Sequence, residues 1–455
     1  MSDKTIIKIR KGLDIRIPGV AVGEVEELPS SGLYAVKTGG QVGLTPKLLV
    51  SEGDRVAAGD VLFVDKNNDA ARYVSPVDGK VSAIVRGAKR ALLAVVVERD
   101  GDSQRQLLTD EQLKATRRED IVDTMIEKGL WTLIKQRPFG IVPSREAHPK
   151  GVFVSAIDSS PLPVDVAHML DESDFRRGIE ILDTIAGPVH LSLPAGDESF
   201  LAHVPHARIH YFEGPHPTGL VGTQIAHIDP ISKGETVWTL GVQDVAVIGH
   251  LFRTGCYRPK RLVALCGPLV KAPHYYRTLA GASIAPLADN IVHHVGQQVR
   301  LIEGSVLSGS SMAADDYIGA SCDKICVLPE GDYYDFMGWL RPNFKKFSFS
   351  RTFLSGFLTK CNTSKPQYTF DTGRHGSQRP LFVTGEFEKL VPLDIYPMQL
   401  VKACIAGNIE RMEELGIYEV EPEDLALCEF ADTSKTEIQA VIREGLEKIR
   451  KEFGI

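Results

Sequence analysis

The stretch Gly59–Val81, GDVLFVDKNNDAARYVSPVDGKV, contains two short apolar runs separated by a polar turn. The runs VLFV and RYV flank the residues KNND, which are good turn formers. Similar short runs lie on both sides as far as about Gln106, and Gly, Asp, Pro and Asn separate them. Many short strands at close spacing predict a small barrel or sandwich, which we place at residues 1–106.

Lys66 lies close to this turn and raises the question of a covalent cofactor. Lipoyl and biotinyl carrier domains display one modified lysine at the tip of such a hairpin. Lys66 lies six residues after Asp60 and nine before Ser75, whereas the middle of that frame is near Asn67-Asn68. We interpret the stretch as a lipoyl-like fold signal with an exposed lysine, because a motif needs its spacing as well as its letters.

The composition is that of an ordinary globular chain of several domains. It has 455 residues, of which 43% are hydrophobic and 24% charged. A net charge of -7 argues against a general nucleic-acid binder. Seven cysteines without a C-x-x-C pair favour reduced thiols over zinc or iron–sulfur sites, and we expect no metal site.

The N-terminal sequence MSDKTIIKIRKG lacks the apolar core of a signal peptide. No uncharged apolar run approaches the roughly 18–20 residues of a membrane span. We therefore expect any membrane association to be peripheral or through a partner.

Residues 107–258 have the pattern of an α/β domain. Leu107–Gly129 has helical periodicity and dense charge, and we expect it to link the first module to the next. From Phe139 strands and helices alternate, which predicts a parallel sheet. Asp171 or Ser173 is expected to cap a helix that ends at Gly187. The run KGETVWTLGVQDVAVIGHLFRTG is a candidate for one longer helix.

The last two segments differ in character. Residues 259–330 are predicted to form a compact β-rich module with one helix, and residues 331–455 a mainly helical domain.

Several chemical motifs are weak or absent. The histidines His203, His206, His210 and His216 suggest a metal site, but Pro205 disturbs a helix there and we favour scattered loop and core histidines. The Gly- and Ser-rich GSVLSGSSM lacks the lysine of a P-loop. No G-x-G-x-x-G follows a strand and no G-x-S-x-G is present, so no catalytic residue is assigned.

The segment Leu340–Lys360 combines basic and aromatic residues. Its cations are Arg341, Lys345, Lys346 and Arg351, interleaved with five phenylalanines. Such a segment suits nucleic-acid stacking, a membrane surface or a partner interface, and the alternative is a loop that packs its phenylalanines into a core. Because the chain is acidic, we favour a docking surface among the functional alternatives.

The segment Gly129–Pro143, GLWTLIKQRPFGIVP, precedes the first strand of the α/β pattern. Trp131, Arg137 and Phe139 make it aromatic, basic and semi-rigid, so it could line a pocket for a flat ligand. The alternative is a domain-linking segment whose tryptophan belongs to a core.

Six stretches together resemble the A subunit of the sodium-translocating NADH:quinone oxidoreductase. In chain order they are KIRKGLDIRIPG, TPKLLVSEGDRVAAGDVLF, SPVDGKVSAIVRGAKRALLAVVVE, GLWTLIKQRPFG, GPHPTGLVGTQIAHIDP and GETVWTLGVQDVAVIGHLFRTG. The resemblance extends over nearly the whole chain, and the order of the stretches makes it specific.

The resemblance implies a bacterial inner-membrane complex that oxidises NADH, reduces ubiquinone and exports sodium ions. The A subunit would lie peripherally on its cytoplasmic face, without a permanent cofactor and associated with ubiquinone. NADH, flavins and an iron–sulfur centre would belong to other subunits, including integral membrane subunits. The isolated chain would not be catalytic.

The family is related to the C subunit of the Rnf complex and to the flavin-binding NADH subunit of complex I, which carry a flavin loop of the type GLRGRGGAGFPT. Gly129, Leu130 and Phe139 match that loop, but its glycines are replaced here by Thr132, Ile134, Lys135 and Gln136. Side chains at these positions would fill the space where backbone must approach a phosphate.

The resemblance thus implies a Rossmann-like domain at residues 107–258 and a β-grasp (SLBB-like) module at residues 259–330. It also implies a redox scaffold that has lost its flavin, with Trp131, Arg137 and Phe139 as candidate quinone contacts. The alternatives are a structural hub without a ligand, or a flavin or carrier-type oxidoreductase component.

Overall fold

The computed structural model describes residues 5–101, 105–292, 298–333, 336, 338, 346–349, 367–374 and 379–454. Two sheets of six strands and two smaller sheets form in these residues.

The first part of the chain forms nine short strands. They are β1 Ile6–Lys8, β2 Val25–Glu27, β3 Leu33–Lys37, β4 Pro46–Leu48, β5 Arg55–Val56, β6 Val61–Asp65, β7 Arg72–Val74, β8 Gly79–Arg86 and β9 Leu92–Arg99. Seven of them build two antiparallel sheets in the orders β3-β9-β8-β5 and β4-β6-β7. Phe63 of β6 and Val95 of β9 are buried in one core, and the predicted module of short strands is confirmed.

The second part alternates strands and helices. Its elements are α1 Asp110–Leu113, α2 Arg118–Glu127, β10 Lys135–Arg137, β11 Val152–Ser155, α3 Glu172–Ala186, β12 Val189–Pro194, β13 Ala207–Glu213, α4 Val221–Ile228, β14 Val237–Gly241 and α5 Val242–Thr254. The sheet order is β1-β13-β12-β11-β14-β10, and β10 alone is antiparallel to its neighbour. Strand β11 lies between β12 and β14, so the direction in which the sheet is wound reverses at β11.

Helix α3 begins and ends where the sequence predicts. The Asp171 carboxylate accepts a hydrogen bond from the Asp174 amide at 3.0 Å, and the helix stops at Gly187 with φ 82°. It packs against α5 at close range: a Cβ on Gly249 would lie 1.7 Å from the Asp174 carbonyl oxygen. Glycine is therefore required at position 249 by the approach of the two helices.

The single helix expected over residues 233–255 is wrong in its first half. Val237–Gly241 is strand β14, and only Val242–Thr254 is helical. Residues 237–240 are all buried, and a short run buried at every position has no period that separates a strand from a helix. Pairing with β11 on one side and β10 on the other decides the outcome.

The third part is a mixed sheet. It contains β15 Lys260–Cys266, β16 His274–Leu279, β17 Val299–Glu303, β18 Ser310–Met312 and β19 Lys324–Pro329, in the order β18-β17-β19-β15-β16-β2. Its residues Val263 and Leu265 share a core with Phe63 and Val95 of the first module. The β-rich character of residues 259–330 is confirmed.

In its described residues, the C-terminal part has its α-helices between Pro397 and Phe453. The helices are α6 Pro397–Ala406, α7 Ile409–Glu414, α8 Ala426–Ala431 and α9 Ile438–Phe453, with a short 3-10 turn at Pro422–Leu425. Among the described residues, no helix is both long and apolar enough to cross a membrane.

Two strands of the first module leave it. β1 pairs in parallel with β13, with Ile6 opposite Tyr211, and β2 pairs in parallel with β16, with Val25 opposite Tyr275. The sequence places both inside residues 1–106, but local pattern does not tell to which sheet edge a three-residue strand will add. The chain thus ties three parts together before the first sandwich strand begins.

Candidate functional site

A cavity of about 470 Å³ lies at the winding reversal. Residues that follow β11 and β14 line it, as do the β17–β18 loop, the start of β19 and the C-terminal part. Open parallel sheets bind ligands at the carboxyl ends of their strands, where the winding reverses. This interdomain cavity is therefore the candidate site.

Hydrogen bonds fix the loop after β11 against the loop after β13. The Ser155 hydroxyl donates to the Gly219 carbonyl at 3.0 Å and accepts from the Gln224 amide at 2.8 Å. The Gly219 amide donates to the Ser159 hydroxyl at 2.8 Å. A Cβ on Gly219 would lie 2.6 Å from the Ile157 carbonyl oxygen, so glycine is required for this contact.

Lys324 lies at the start of β19 on the wall of the cavity and is nearly fully buried. Its ammonium donates to the Asp158 carboxylate, to the Ser160 hydroxyl at 2.6 Å and to the Leu162 carbonyl at 3.2 Å. Burial opposes the charged forms, but the pair outweighs it: the pKa of Lys324 is raised and the pKa of Asp158 is lowered. The two groups are a charged pair that holds the third part of the chain to the α/β sheet.

A second buried pair lies where β14 passes into α5. Arg261 donates to the Asp244 carboxylate, which also accepts from the Ser321 hydroxyl at 3.2 Å. Asp244 lies in the first turn of α5 and accepts from the Gly241 amide at 3.3 Å. A carboxylate therefore already occupies the positive end of this helix.

The cavity lining has more acids than bases. Its carboxyl groups are Asp158, Asp244, Glu303, Asp323 and Glu423, against the cations Lys135, Arg261 and Lys324. Burial raises the pKa of Asp323 and of Glu423, partly offset by Lys324 and Arg137 respectively. The two buried cations of the lining, Arg261 and Lys324, are already paired with Asp244 and Asp158 and are not free for a negatively charged ligand.

Trp131, one of the three candidate quinone contacts, is fully buried and does not line the cavity. Its indole Nε1 donates to the Pro143 carbonyl at 2.8 Å, and its ring meets Trp238 edge-on at 5.2 Å. Its neighbours Leu133 and Lys135 do line the cavity. The segment Gly129–Pro143 therefore reaches the cavity, but its tryptophan is part of the hydrophobic core next to the cavity lining.

Arg137 and Phe139 also lie in the interior. Arg137 is 1% exposed, and its guanidinium contacts Asp424 at 2.9 Å, Glu423 at 3.1 Å and Glu421 at 3.5 Å. The ring of Phe139 meets Tyr418 edge-on at 6.5 Å. Contact of these side chains with quinone stays a prediction, and the structure gives them the role of joining the segment to the C-terminal part.

The proposed docking surface lies mostly outside the described residues, which include Lys346 but not Arg341, Lys345 or Arg351. Within the segment, Phe347 packs among Tyr368, Phe370 and Phe430, with ring centroids 5.5 to 5.8 Å apart. Phe347 therefore fits the alternative interpretation, in which the segment packs its phenylalanines into a core. The docking role of the cations stays a prediction.

Lys66 is exposed in the loop between β6 and β7. Two residues further on, the side-chain amide of Asn68 donates to the carbonyls of Val142 at 3.0 Å and Pro143 at 3.3 Å. The hairpin end is thus fastened to the segment that bears Trp131. A carrier lysine needs a projecting tip, and this arrangement favours a structural hairpin.

The four histidines of the metal hypothesis have separate surroundings. His206 faces Asp183 at 3.4 Å, His210 contacts His190 and His216 contacts Ser159. Within the described ranges, no three His, Cys, Asp or Glu side chains are grouped as a metal site would require.

Acid should destabilise the protein through the pair His190–His210. Their ring nitrogens are 3.0 Å apart and Phe153 stacks on His190 at 4.6 Å. Burial, then His210, lowers the pKa of His190 to about 4, and burial also lowers that of His210. The unfolded value is about 6.5, so stability present above it is lost as the pH falls from about 6.5 towards 4. We expect the melting temperature to decrease as the pH falls over this range. The decrease should be less steep in His190→Phe than in the exposed control His203→Phe. An equal slope in both variants would contradict the assignment.

Sequence analysis did not single out Asp158 or Lys324, the central pair of the site. Asp158 had a signal, since polar residues directly after a buried parallel strand often face a ligand crevice. Lys324 had none, because its partner lies 166 positions away in the chain.

Comparison with known proteins agrees with this architecture. Family models match residues 7–100 as "NqrA N-terminal barrel-sandwich hybrid domain", residues 116–257 as "NqrA second alpha/beta domain" and residues 262–314 as "NQRA C-terminal domain". A curated protein of Hahella chejuensis, named as the A subunit of Na(+)-translocating NADH-quinone reductase, is 38% identical over 98% of this chain and 100% of its own length.

The chain belongs to the NqrA family, the A subunits of Na(+)-translocating NADH-quinone reductase. NqrA proteins of Rhodopirellula baltica and Haemophilus influenzae are also 38% identical, covering 99% and 98% of this chain and 99% and 100% of their own lengths. The family resemblance seen in the sequence is thereby confirmed, as are its barrel-sandwich and α/β domains.

Among solved structures, an NAD+-reducing [NiFe]-hydrogenase in the air-oxidized state is similar to this NqrA family member at 11% identity, with a TM-score of 0.31. The match covers 68% of this chain and 56% of that one.

Proposed function

We propose that this chain is the quinone-associated subunit of a membrane complex that couples NADH oxidation and ubiquinone reduction to sodium-ion export. Support comes from the NqrA family, whose curated members have the name of the reductase. In this proposal flavins and an iron–sulfur centre in other subunits transfer the electrons, and this chain has no permanent cofactor. It lies on the cytoplasmic face of the bacterial inner membrane, attached through integral membrane subunits.

The interdomain cavity supports a neutral ligand, and this observation favours quinone over the other molecules of the reaction. Nicotinamide and flavin nucleotides carry phosphates, and the buried cations that could bind a phosphate here, Arg261 and Lys324, are already paired with carboxylates. Asp244 also takes the helix terminus where a phosphate is usually bound. A quinone ring is uncharged and avoids both penalties.

The cavity has the apolar wall that a flat ring needs. Leu133, Leu220 and Leu307 contribute to this wall. The volume of the cavity is within the range of ordinary small-molecule sites. In this proposal the α/β domain is Rossmann-like and the mixed sheet is a β-grasp module, with the ligand between them. Trp131, Arg137 and Phe139 position the wall that Leu133 and Lys135 expose.

Calorimetric titration of the purified protein with a short-chain ubiquinone tests the proposal. We expect saturable binding by the natural chain. Ser308 is exposed at the cavity lining, and Ser308→Trp should weaken binding at least about tenfold by filling the cavity, a loss equivalent to about 1.4 kcal/mol.

The matched control is Ser30→Trp. Ser30 is also exposed and lines a neighbouring cleft of about 590 Å³, which shares Met169, Gln243 and Arg261 with the cavity. Ser30 itself does not line the cavity, so its replacement should leave the affinity unchanged. Absence of binding by the natural chain would favour a structural hub and overturn the proposal. Equal effects of the two variants would overturn the location.

A further inference from the structure

The cavity contains a histidine that is fixed by hydrogen bonds on three sides. The His216 amide donates to the Asp14 carboxylate at 3.1 Å, and its carbonyl accepts from the Leu13 amide at 2.7 Å. Its ring Nδ1 lies 3.0 Å from the Ser159 hydroxyl. The side chain is 4% exposed and still forms part of the cavity lining.

The surroundings of Ser159 determine which ring nitrogen holds the proton. The Ser159 oxygen accepts from the Gly219 amide at 2.8 Å. Among described residues, the only further polar contact of this hydroxyl is His216 Nδ1. If Nδ1 donated to the oxygen, the hydroxyl hydrogen would lack a described acceptor. This arrangement favours donation by the hydroxyl to Nδ1, which leaves the ring proton on Nε2.

The ring is also uncharged. Burial is the main cause that lowers the pKa of His216 to about 4, and Lys324 acts in the same direction while Asp158 and Asp14 oppose it. At neutral pH the side chain is thus a single N–H donor without a charge. In the described part of the chain, no protein group accepts a hydrogen bond from Nε2.

We propose that His216, oriented by Ser159, donates a hydrogen bond from Nε2 to a carbonyl oxygen of the quinone ring. This rests on the proposed function, because it needs a quinone in the cavity. A neutral donor suits a neutral carbonyl, since neither group loses the hydration of a charge when the ligand enters. The apolar wall then holds the ring while the histidine selects its orientation.

Paired titrations test the inference with two ligands that share one tail. The first is a short-chain ubiquinone, and the second is the same ring with both carbonyls replaced by C–H. The natural chain should bind the first about tenfold more tightly. In His216→Phe this preference should disappear because only the ubiquinone affinity falls. Ser159→Ala should reduce the preference by a smaller factor.

The tautomer has its own measurement. In a ¹⁵N-histidine-labelled sample, the signals lost in His216→Phe should be those of an Nε2–H imidazole, and Ser159→Ala should shift them towards mixed tautomers.

A protonated Nδ1 in the natural chain would overturn the inference. So would an unchanged preference in His216→Phe, which leaves the proposed function standing. Failure of the natural chain to bind ubiquinone would instead overturn the proposed function. If His216→Phe melts early, His216→Leu replaces it, since leucine also lacks a donor, and loss of the preference is again expected.

Discussion

Replacing Arg137 by alanine should lower the free energy of unfolding by about 3–5 kcal/mol. The guanidinium contacts three acids, and the Asp424 carboxylate among them is almost fully buried. Burial opposes the charge of Arg137, but Asp424 and its neighbours keep its pKa raised. Without the arginine, Asp424 would remain as an uncompensated charge in the interior. Urea unfolding followed by circular dichroism measures the loss.

Arg411→Ala is the matched control for this prediction. Arg411 pairs with Glu414 at 2.7 Å on the surface, with both side chains more than 60% exposed. Such a pair contributes at most about 1 kcal/mol. The double replacement Arg137→Met with Asp424→Leu should recover part of the loss, because neither charge is then buried alone. A loss below about 1 kcal/mol in Arg137→Ala would contradict the buried pair.

Trp131→Ala should cost about 3–5 kcal/mol of stability while the folded protein keeps its ubiquinone affinity. The reason is its position: the ring is fully buried against Trp238 and does not reach the cavity. Trp131→Phe keeps most of the packing and removes the indole hydrogen bond to the Pro143 carbonyl. This carbonyl still accepts a hydrogen bond from the Asn68 side chain at 3.3 Å. That variant should lose only about 1 kcal/mol.

Thermal unfolding and ubiquinone titration on the same samples separate the two roles of Trp131. A Trp131→Phe variant with normal stability and lost affinity would return the tryptophan to the ligand site, as the sequence first suggested. Normal affinity with reduced stability would place it in the core.

The alternative considered for Gly129–Pro143 explains part of this outcome. The segment does reach the candidate site, but through Leu133 and Lys135 and not through Trp131 or Phe139. Aromatic composition marks a segment that contacts much apolar surface, and such surface belongs to a core as readily as to a ligand pocket.

The Gly59–Val81 stretch and the caps of α3 were determined by the sequence itself. Short strands with Gly and Asn turns, or Asp171 before a helix and Gly187 after it, depend on contacts within a few residues. The family was determined in the same way, because the order of several stretches is preserved along the chain.

The tertiary structure alone decided where β1 and β2 pair, that β14 is a strand, and that Lys324 meets Asp158. Each of these depends on a partner more than 60 positions away in the chain. The local preference of a segment for helix or strand does not depend on such a distant partner. The site is built from these distant pairs, since burial stabilises a charge only when its counter-charge arrives from another part of the chain.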